Sequence, residues 1–169
     1  MKTLVLGGAR SGKSRYAQKL AEETGRQVVY IATATADDNE MKSRIEQHQR
    51  ERPASWCIVE EPLKLSEVIM QNMDNKHCIL VDCLTLWLSN MMAEKNITEV
   101  EQQVDDLVKT VREVNTDLIM VSNEVGQGIV PLGELSRQFV DESGRMHQKL
   151  AQVCESVVFA IAGLPQILK

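Results

Sequence analysis

A glycine-rich loop near the amino terminus carries the clearest chemistry in the sequence. Its residues fit the pattern G-x-x-x-x-G-K-[ST] and are Gly7, Gly8, Ala9, Arg10, Ser11, Gly12, Lys13 and Ser14. Glycines at these positions let successive backbone N–H groups approach a phosphate chain at the start of a helix. Lys13 adds a catalytic positive charge for the β- and γ-phosphates, and the Ser14 hydroxyl is suited to bind Mg²⁺. The loop therefore predicts a nucleotide-binding site rather than an ordinary glycine-rich turn.

An acidic residue at the end of a second apolar run extends the predicted phosphate site. The run Cys78–Val81 is followed by Asp82, where nucleotide-binding proteins of this kind carry the carboxylate that binds Mg²⁺. Aspartate is also a preferred N-cap, and Asp82 is well placed to begin a helix that starts near Leu84. The two roles are compatible, and both stay open. Together the loop and Asp82 predict a nucleotide hydrolase or transferase.

A histidine on a charged segment is the candidate nucleophile. The predicted helix Asp38–Glu51 places His48 four residues after Arg44 and four before Arg52, so the three side chains share one face. A neutral imidazole can attack phosphorus, and flanking guanidinium groups stabilise the charge that develops on the phosphate. The arrangement suits nucleotidyl transfer through a phosphoramidate. A lone histidine on a polar helix is, however, more often a solvated surface residue.

Apolar runs that alternate with helical patterns must position these residues. The predicted strands are Thr3–Leu6, Val28–Ile31, Cys78–Val81, Leu118–Val121 and Val157–Ile161, with a weaker candidate at Trp56–Val59. The predicted helices are Lys13–Glu23, Asp38–Glu51, Leu63–Met73, Leu84–Met92, one that follows a capping box Thr98-x-x-Glu101, and Leu135–Val153. This alternation predicts a single α/β catalytic domain over residues 1–169, with a parallel sheet that binds ligands beyond the carboxyl ends of its strands.

Composition and charge exclude several classes of protein. The 169 residues are 43% hydrophobic, enough for a core, and their 19 basic and 24 acidic residues give a net charge of −5. We expect no nucleic-acid partner, because no positive field surrounds such a chain. The longest apolar stretch, Val157–Leu164, is too short to span a membrane and no signal peptide is evident, which predicts a cytoplasmic protein. The four cysteines lack metal-binding spacing and are expected to be buried, reduced thiols.

Several motifs, taken in order, resemble one known family over nearly the whole chain. Besides the glycine loop with Arg15, they are Tyr30-Ile31-Ala32-Thr33, Asp38-x-Glu40-Met41, Arg44-Ile45-x-x-His48, Arg52-Pro53, Asn123-Glu124-Val125-Gly126-x-Gly128-Ile129-Val130-Pro131 and Gly144-Arg145. The glycine loop occurs in many nucleotide-binding proteins, but the His48 and Asn-Glu-Val-Gly segments are specific. The sequence resembles the bifunctional adenosylcobinamide kinase/adenosylcobinamide-phosphate guanylyltransferases of cobalamin biosynthesis.

The resemblance implies a role for each matching residue. His48 would become covalently bonded to GMP, the glycine loop would bind nucleotide phosphates, and Asp82 would occupy an acidic family position. The GTP site would be completed by Thr33, Ala34, Gln49, Arg50, Glu51, Arg52 and Glu60. Gln47 stands where some members have a second histidine, which leaves His48 as the nucleophile. The resemblance also implies a RecA-like, three-layer P-loop NTPase fold, with helices on both faces of a mostly parallel sheet, and a homotrimer.

Three functions follow from these observations. The leading one is an enzyme that phosphorylates adenosylcobinamide with ATP or GTP, with Mg²⁺ as cofactor. It then transfers GMP from GTP, through a guanylyl-histidine, to adenosylcobinamide phosphate and gives adenosylcobinamide-GDP. The alternatives are a P-loop kinase of another small alcohol and a non-catalytic GTP-binding regulatory module. Asn123 and Glu124, which follow the strand ending at Val121, are candidates either for substrate contact or for a purely structural turn.

Overall fold

Seven strands and five helices make up the part of the chain that the computed structural model describes, residues 1–35 and 53–169. The strands are β1 (Lys2–Gly7), β2 (Gln27–Ala32), β3 (Cys57–Glu60), β4 (His77–Asp82), β5 (Asp117–Asn123), β6 (Ser156–Ile161) and β7 (Leu164–Ile167). The helices are α1 (Lys13–Glu23), α2 (Leu65–Gln71), α3 (Leu84–Glu94), α4 (Ile97–Glu113) and α5 (Glu134–Val153). The predicted helix Asp38–Glu51 lies outside the described residues, as do His48, Gln49, Arg50, Glu51 and Arg52.

The strands form one sheet in the order β3-β2-β4-β5-β1-β6-β7. All pairs are parallel except β6 with β7, which is antiparallel. The central strands are almost continuously apolar because both of their faces are covered, as the sequence predicted. β1 lies between β5 and β6, so the glycine loop leaves the middle of the sheet at its carboxyl edge. Asp82 ends β4 at the same edge, one strand beyond β5.

Helices cover both faces of the sheet. On one face α1 packs Ala17 and Ala21 into a cluster with Val5 and Leu80. The other four helices contribute to a larger cluster on the opposite face, through side chains such as Leu65, Trp87, Leu107 and Leu150. The predicted three-layer α/β architecture is thereby confirmed. None of the described helices is both long and apolar enough to cross a membrane.

The helix α4 begins at a different capping box from the predicted one. The Asn96 side chain accepts a hydrogen bond from the Glu99 N–H at 3.1 Å, and the Glu99 carboxylate accepts one from the Asn96 N–H at 3.1 Å. The predicted box of Thr98 and Glu101 is therefore wrong. The same pattern occurs two residues earlier, and asparagine caps a helix at least as well as threonine.

A hairpin after β6 adds a strand that the sequence analysis missed. Ala162 and Gly163 form its turn with φ values of 52° and 81°, and β7 then pairs with β6. Every residue of β7 is exposed, and Pro165 lies within it. A short edge strand with a proline and no buried face gives no periodic signal.

The cysteines only partly follow the expectation. Cys78, Cys83 and Cys154 are buried free thiols, and burial raises the pKa of each to about 11, which keeps them protonated. Cys57 is also free but exposed, because it begins the edge strand β3, whose residues are mostly exposed. The prediction that all four are buried was wrong at this position.

Candidate functional site: a phosphate-binding edge of the sheet

The glycine loop joins β1 directly to α1. Gly12 is the N-cap residue of α1, with a φ of 89°, and no side chain caps this helix. A Cβ at Gly12 would lie 2.9 Å from the Gly163 Cα, so both the backbone conformation and the space require glycine. The N–H groups in the first turn of α1 are therefore left for another acceptor, as in the helix N-termini that bind anions.

The glycine loop packs closely against its own residues and against the β6–β7 hairpin. A Cβ at Gly7 would lie 2.5 Å from Ser11 Oγ and 2.7 Å from the carbonyl oxygen of Ala160. The Gly163 N–H donates to the Ser11 carbonyl at 2.8 Å. Ser11 Oγ itself is buried and has no hydrogen-bond partner among the described residues. Such a hydroxyl costs roughly 1–3 kcal/mol when unpaired, and a bound phosphate oxygen would remove that cost.

Lys13 lies folded over the loop it follows. Its Nζ donates to the carbonyl oxygen of Gly8 at 3.1 Å. Burial lowers the pKa of Lys13, and the negative charge of Asp82 opposes this shift. The ammonium group is therefore held, partly desolvated, within electrostatic reach of Asp82. A nucleotide phosphate at this place would gain a strong interaction with a cation that water screens poorly.

Asp82 is oriented by an aromatic hydroxyl. Tyr30 donates from its hydroxyl group to Asp82 Oδ2 at 3.0 Å, and the Tyr30 ring stacks on Trp56 with centroids 6.1 Å apart. The N-cap of α3 is Cys83, and no side chain caps that helix. The alternative that Asp82 is the N-cap is therefore wrong, because the residue ends β4 instead and points its carboxylate to Tyr30.

The donor set at this edge fits a magnesium ion bound together with a nucleotide. Ser14, in the first turn of α1, and Asp82 offer a hydroxyl and a carboxylate oxygen, the hard ligands that Mg²⁺ prefers. Within residues 1–35 and 53–169, no three His, Cys, Asp or Glu side chains converge as a metal cage. Mg²⁺ commonly takes one or two protein ligands and completes its shell with phosphate oxygens and water.

The other predicted nucleotide-binding residues that the structure describes lie at the carboxyl ends of β2 and β3. Thr33 is fully buried; its hydroxyl donates to the Cys83 carbonyl at 2.7 Å and accepts from the Cys83 N–H at 2.9 Å. Its carbonyl accepts from the Asn90 side chain at 2.8 Å. Thr33 thus ties the ends of β2 and β4 together with its own polar groups. Ala34 next to it is half-buried, and Glu60 at the end of β3 is exposed.

A buried hydrogen-bond network behind β5 was not expected from the sequence. His147 Nε2 lies 2.7 Å from Ser122 Oγ, which in turn lies 3.1 Å from Thr85 Oγ1. The Asn123 N–H donates to Thr85 Oγ1 at 2.6 Å. Burial lowers the pKa of His147 to about 4, although the charge of Glu124 opposes the shift. The imidazole is therefore neutral at physiological pH. The network connects α5 and α3 to the end of β5, beside the glycine loop.

We expect Ser122→Ala to reduce the free energy of unfolding by about 1–3 kcal/mol, because it leaves a buried imidazole nitrogen unpaired. Urea unfolding followed by circular dichroism measures the change. The matched control is Ser66→Ala, since the Ser66 hydroxyl has no hydrogen-bond partner in the described structure and its loss should cost little. Equal effects of the two substitutions would contradict a stabilising role for the network.

The segment after β5 exposes large apolar side chains. Ile129 and Leu132 are 97% and 98% exposed, and Val130 and Leu135 are also largely exposed. A groove of about 310 Å³ lies between this segment and the side of α5 that carries Val140. Isolated apolar residues are common on protein surfaces, but a group of this kind on one segment is typical of an interaction surface.

The order of these elements and residues matches one family of enzymes. Residues 3–168 match the family model described as cobinamide kinase / cobinamide phosphate guanyltransferase. The chain belongs to this family. The predicted family and the predicted enzyme class are thereby confirmed.

Curated relatives support the assignment over their full lengths. The chain is 50% identical over 169 residues to the bifunctional adenosylcobalamin biosynthesis protein CobP of Pseudomonas aeruginosa. The matched region covers 100% of this chain and 98% of the relative. It is 35% identical over 177 residues to each of the proteins named CobU from Escherichia coli K12 and Salmonella typhimurium, with 97% of both chains covered in each case.

A solved structure supports the fold independently of these sequences. The crystal structure of the RadB recombinase superposes with a TM-score of 0.56, covering 93% of this chain and 72% of that chain. The two sequences are 17% identical, so the likeness concerns the fold alone. It confirms the predicted RecA-like, mostly parallel α/β architecture.

Proposed function

We propose that this chain carries out both reactions in the family's name. It phosphorylates adenosylcobinamide with ATP or GTP, and it transfers GMP from GTP to adenosylcobinamide phosphate to give adenosylcobinamide-GDP. The observation that carries the proposal is the complete glycine loop, which ends at the N-cap residue Gly12 and places Lys13 near Asp82. The chain that contains it matches the family from residue 3 to residue 168. Incubation of the purified protein with adenosylcobinamide and each nucleotide, followed by mass spectrometry of the corrinoid, tests both steps.

In the phosphorylation step the glycine loop binds and orients the nucleotide. The backbone N–H groups around Gly8 to Ser14 surround the β- and γ-phosphates, and Ser11 Oγ supplies a further buried donor. Lys13 exchanges its bond to the Gly8 carbonyl for the phosphates and stabilises the charge that develops during transfer. Ser14 and Asp82 would hold Mg²⁺, which neutralises phosphate charge when bound.

In the second step His48 is the nucleophile. A ring nitrogen attacks the α-phosphorus of GTP, a nitrogen–phosphorus bond forms, and the bond to the bridging oxygen breaks, so that pyrophosphate leaves. The phosphate of adenosylcobinamide phosphate then attacks the same phosphorus and releases the histidine. Support comes from the spacing of His48 from Arg44 and Arg52 and from the family resemblance of this segment.

The remaining nucleotide contacts extend from the phosphate site along the edge of the sheet. We assign them to Thr33 and Ala34 after β2, to Gln49, Arg50, Glu51 and Arg52 after His48, and to Glu60 at the end of β3. Thr33 and Glu60 lie at the ends of neighbouring strands, because β2 and β3 are paired up to Ala32 and Glu60. Since the Thr33 hydroxyl is used by Cys83, its contribution is to fix the backbone that leads to Ala34.

The chain acts as a homotrimer of single-domain subunits in the cytoplasm. One continuous sheet supports the single domain, and the buried thiols suit a reducing compartment. The exposed apolar side chains of Ile129, Val130 and Leu132 support subunit contacts, because burying them would remove a large apolar area from water.

Leu132→Asp should shift the mass in solution from that of a trimer toward that of a monomer, since a charge buried without a partner opposes association. Size-exclusion chromatography with light scattering measures the mass. The control is Thr98→Asp, which adds the same charge at an exposed position in the first turn of α4 and should leave the mass unchanged. A monomeric wild-type protein would refute the trimer, and an unaffected variant would refute this surface.

A further inference from the structure

Glu124 follows the strand β5, which lies between the strand that leads to the glycine loop and the strand that ends at Asp82. β5 runs between β4, which ends at Asp82, and β1, which ends at Gly7. Asn123 pairs with Gly7 in the register of the sheet, and the Glu124 N–H donates to the Gly7 carbonyl at 3.0 Å. Glu124 is therefore the first residue beyond the strand that separates the glycine loop from the metal-side carboxylate.

Only one oxygen of the Glu124 carboxylate accepts a hydrogen bond from a described residue. Oε1 accepts a hydrogen bond from the Gly126 N–H at 2.8 Å. A Cβ at Gly126 would lie 3.0 Å from this oxygen, so the loop is fitted closely to the carboxylate. No described residue donates a hydrogen bond to Oε2, and no ion pair between described residues includes Glu124. One oxygen thus anchors the side chain while the other is available to a substrate.

Buried hydrogen bonds hold the end of β5 that precedes Glu124. The preceding residues, Ser122 and Asn123, belong to the buried network that His147 and Thr85 complete. His147 is neutral and therefore gives Glu124 no opposite charge to pair with. A half-buried carboxylate is held in place by neutral groups, next to a loop built to bind phosphates.

A negative charge in this place opposes nucleotide binding. A carboxylate and a phosphate group repel each other, and water near a protein surface screens this repulsion only in part. A residue that only shaped the loop could be neutral, since a glutamine oxygen can accept the bond from Gly126 equally well. The charge is useful when a proton must be removed near the γ-phosphate, which is what the attack of a hydroxyl group requires.

We propose that Glu124 is the general base of the phosphorylation step, accepting the proton of the cobinamide hydroxyl on Oε2. The hydroxyl oxygen forms a bond to the γ-phosphorus, the bond from that phosphorus to the β,γ-bridging oxygen breaks, and the nucleoside diphosphate leaves. This assignment rests on the proposed kinase function. It makes Glu124 specific to that step, because the proposed guanylylation of His48 uses a nitrogen nucleophile and a different phosphorus.

The test compares Glu124→Gln with the wild-type protein in both reactions. Glutamine retains the oxygen that accepts from Gly126 and loses only the basic oxygen. We expect kcat for phosphorylation of adenosylcobinamide to fall at least ~100-fold while KM for the nucleotide changes less than ~3-fold. Labelling of the protein by α-³²P-GTP, and transfer of GMP to supplied adenosylcobinamide phosphate, should stay within ~3-fold. Glu124→Asp, with a shifted base, should be intermediate.

Each other result would overturn the proposal. A Glu124→Gln variant with normal kcat, or with only a raised KM for the corrinoid, would show that the residue binds substrate or shapes the loop. Equal loss of both reactions with a lower melting temperature would show a structural role. Glu134→Gln, at an exposed position in the first turn of α5, is the control and should match the wild type. Failure of the kinase proposal itself is distinguishable, since the wild-type protein would then phosphorylate no adenosylcobinamide.

Discussion

A His48→Asn variant should not become labelled when it is incubated with α-³²P-GTP, whereas the wild-type protein should carry an acid-labile label. Asparagine has no nucleophilic nitrogen comparable to imidazole, so the covalent guanylyl intermediate cannot form. Transfer of GMP to adenosylcobinamide phosphate should fall at least ~1,000-fold, as when the nucleophile of another covalent enzyme is removed. Denaturing electrophoresis of the labelled protein measures the adduct, and chromatography of the corrinoid measures the transfer.

The same variant should retain a substantial part of its phosphorylation activity. The glycine loop, Lys13 and Asp82 are built by β1, α1 and β4, and none of these elements contains His48. His77→Asn is the matched control, because His77 begins β4 at the opposite edge of the sheet and its Nδ1 lies 2.9 Å from the Asn72 carbonyl. An undiminished acid-labile label on His48→Asn, or loss of the label from His77→Asn, would refute the assignment of the nucleophile.

The sheet and the conformation of the glycine loop were predictable because local sequence specifies them. Five continuous apolar runs gave β1, β2, β4, β5 and β6, and the weaker run near Trp56 gave β3. The glycine loop was predictable because its backbone conformation depends on residue type: Gly12 adopts a φ of 89° that few other residues tolerate. β7 was missed because an exposed edge strand buries no alternate side chains.

The hydrogen bonds that hold the site residues in place could not be predicted, because they join residues that are far apart in the sequence. Ser122 and His147 are 25 residues apart, and Tyr30 and Asp82 are 52 residues apart. Neither pair has a sequence signal, since its two partners belong to different elements that only the fold brings together. Thr33 shows that a family resemblance can mark a residue without revealing what its side chain contacts. The resemblance implies a nucleotide contact, and the structure shows that the Thr33 hydroxyl bonds to the backbone of Cys83.

Replacement of Lys13 by methionine should separate catalysis from stability. Phosphorylation of adenosylcobinamide should fall about 100- to 1,000-fold, because a cation directed at the developing phosphate charge is lost. The melting temperature of the protein without nucleotide should not decrease. Burial lowers the pKa of Lys13, which means that the folded protein disfavours the charged form, and methionine fills similar space without a charge.

The two effects are measured on the same samples, by corrinoid phosphorylation and by thermal unfolding with and without MgATP. In the wild-type protein, binding of the nucleotide to the folded state should raise the melting temperature, and in Lys13→Met this increase should be reduced or absent. Lys19→Met is the control on the same helix, since Lys19 is exposed and forms an ion pair with the exposed Glu23 at 3.7 Å. A Lys13→Met protein that unfolds earlier but still phosphorylates at the wild-type rate would show that this cation maintains the loop and does not act on the phosphates. Burial disfavours the charged form of Lys13, and a bound nucleotide phosphate would be the partner that accounts for a cation at this position.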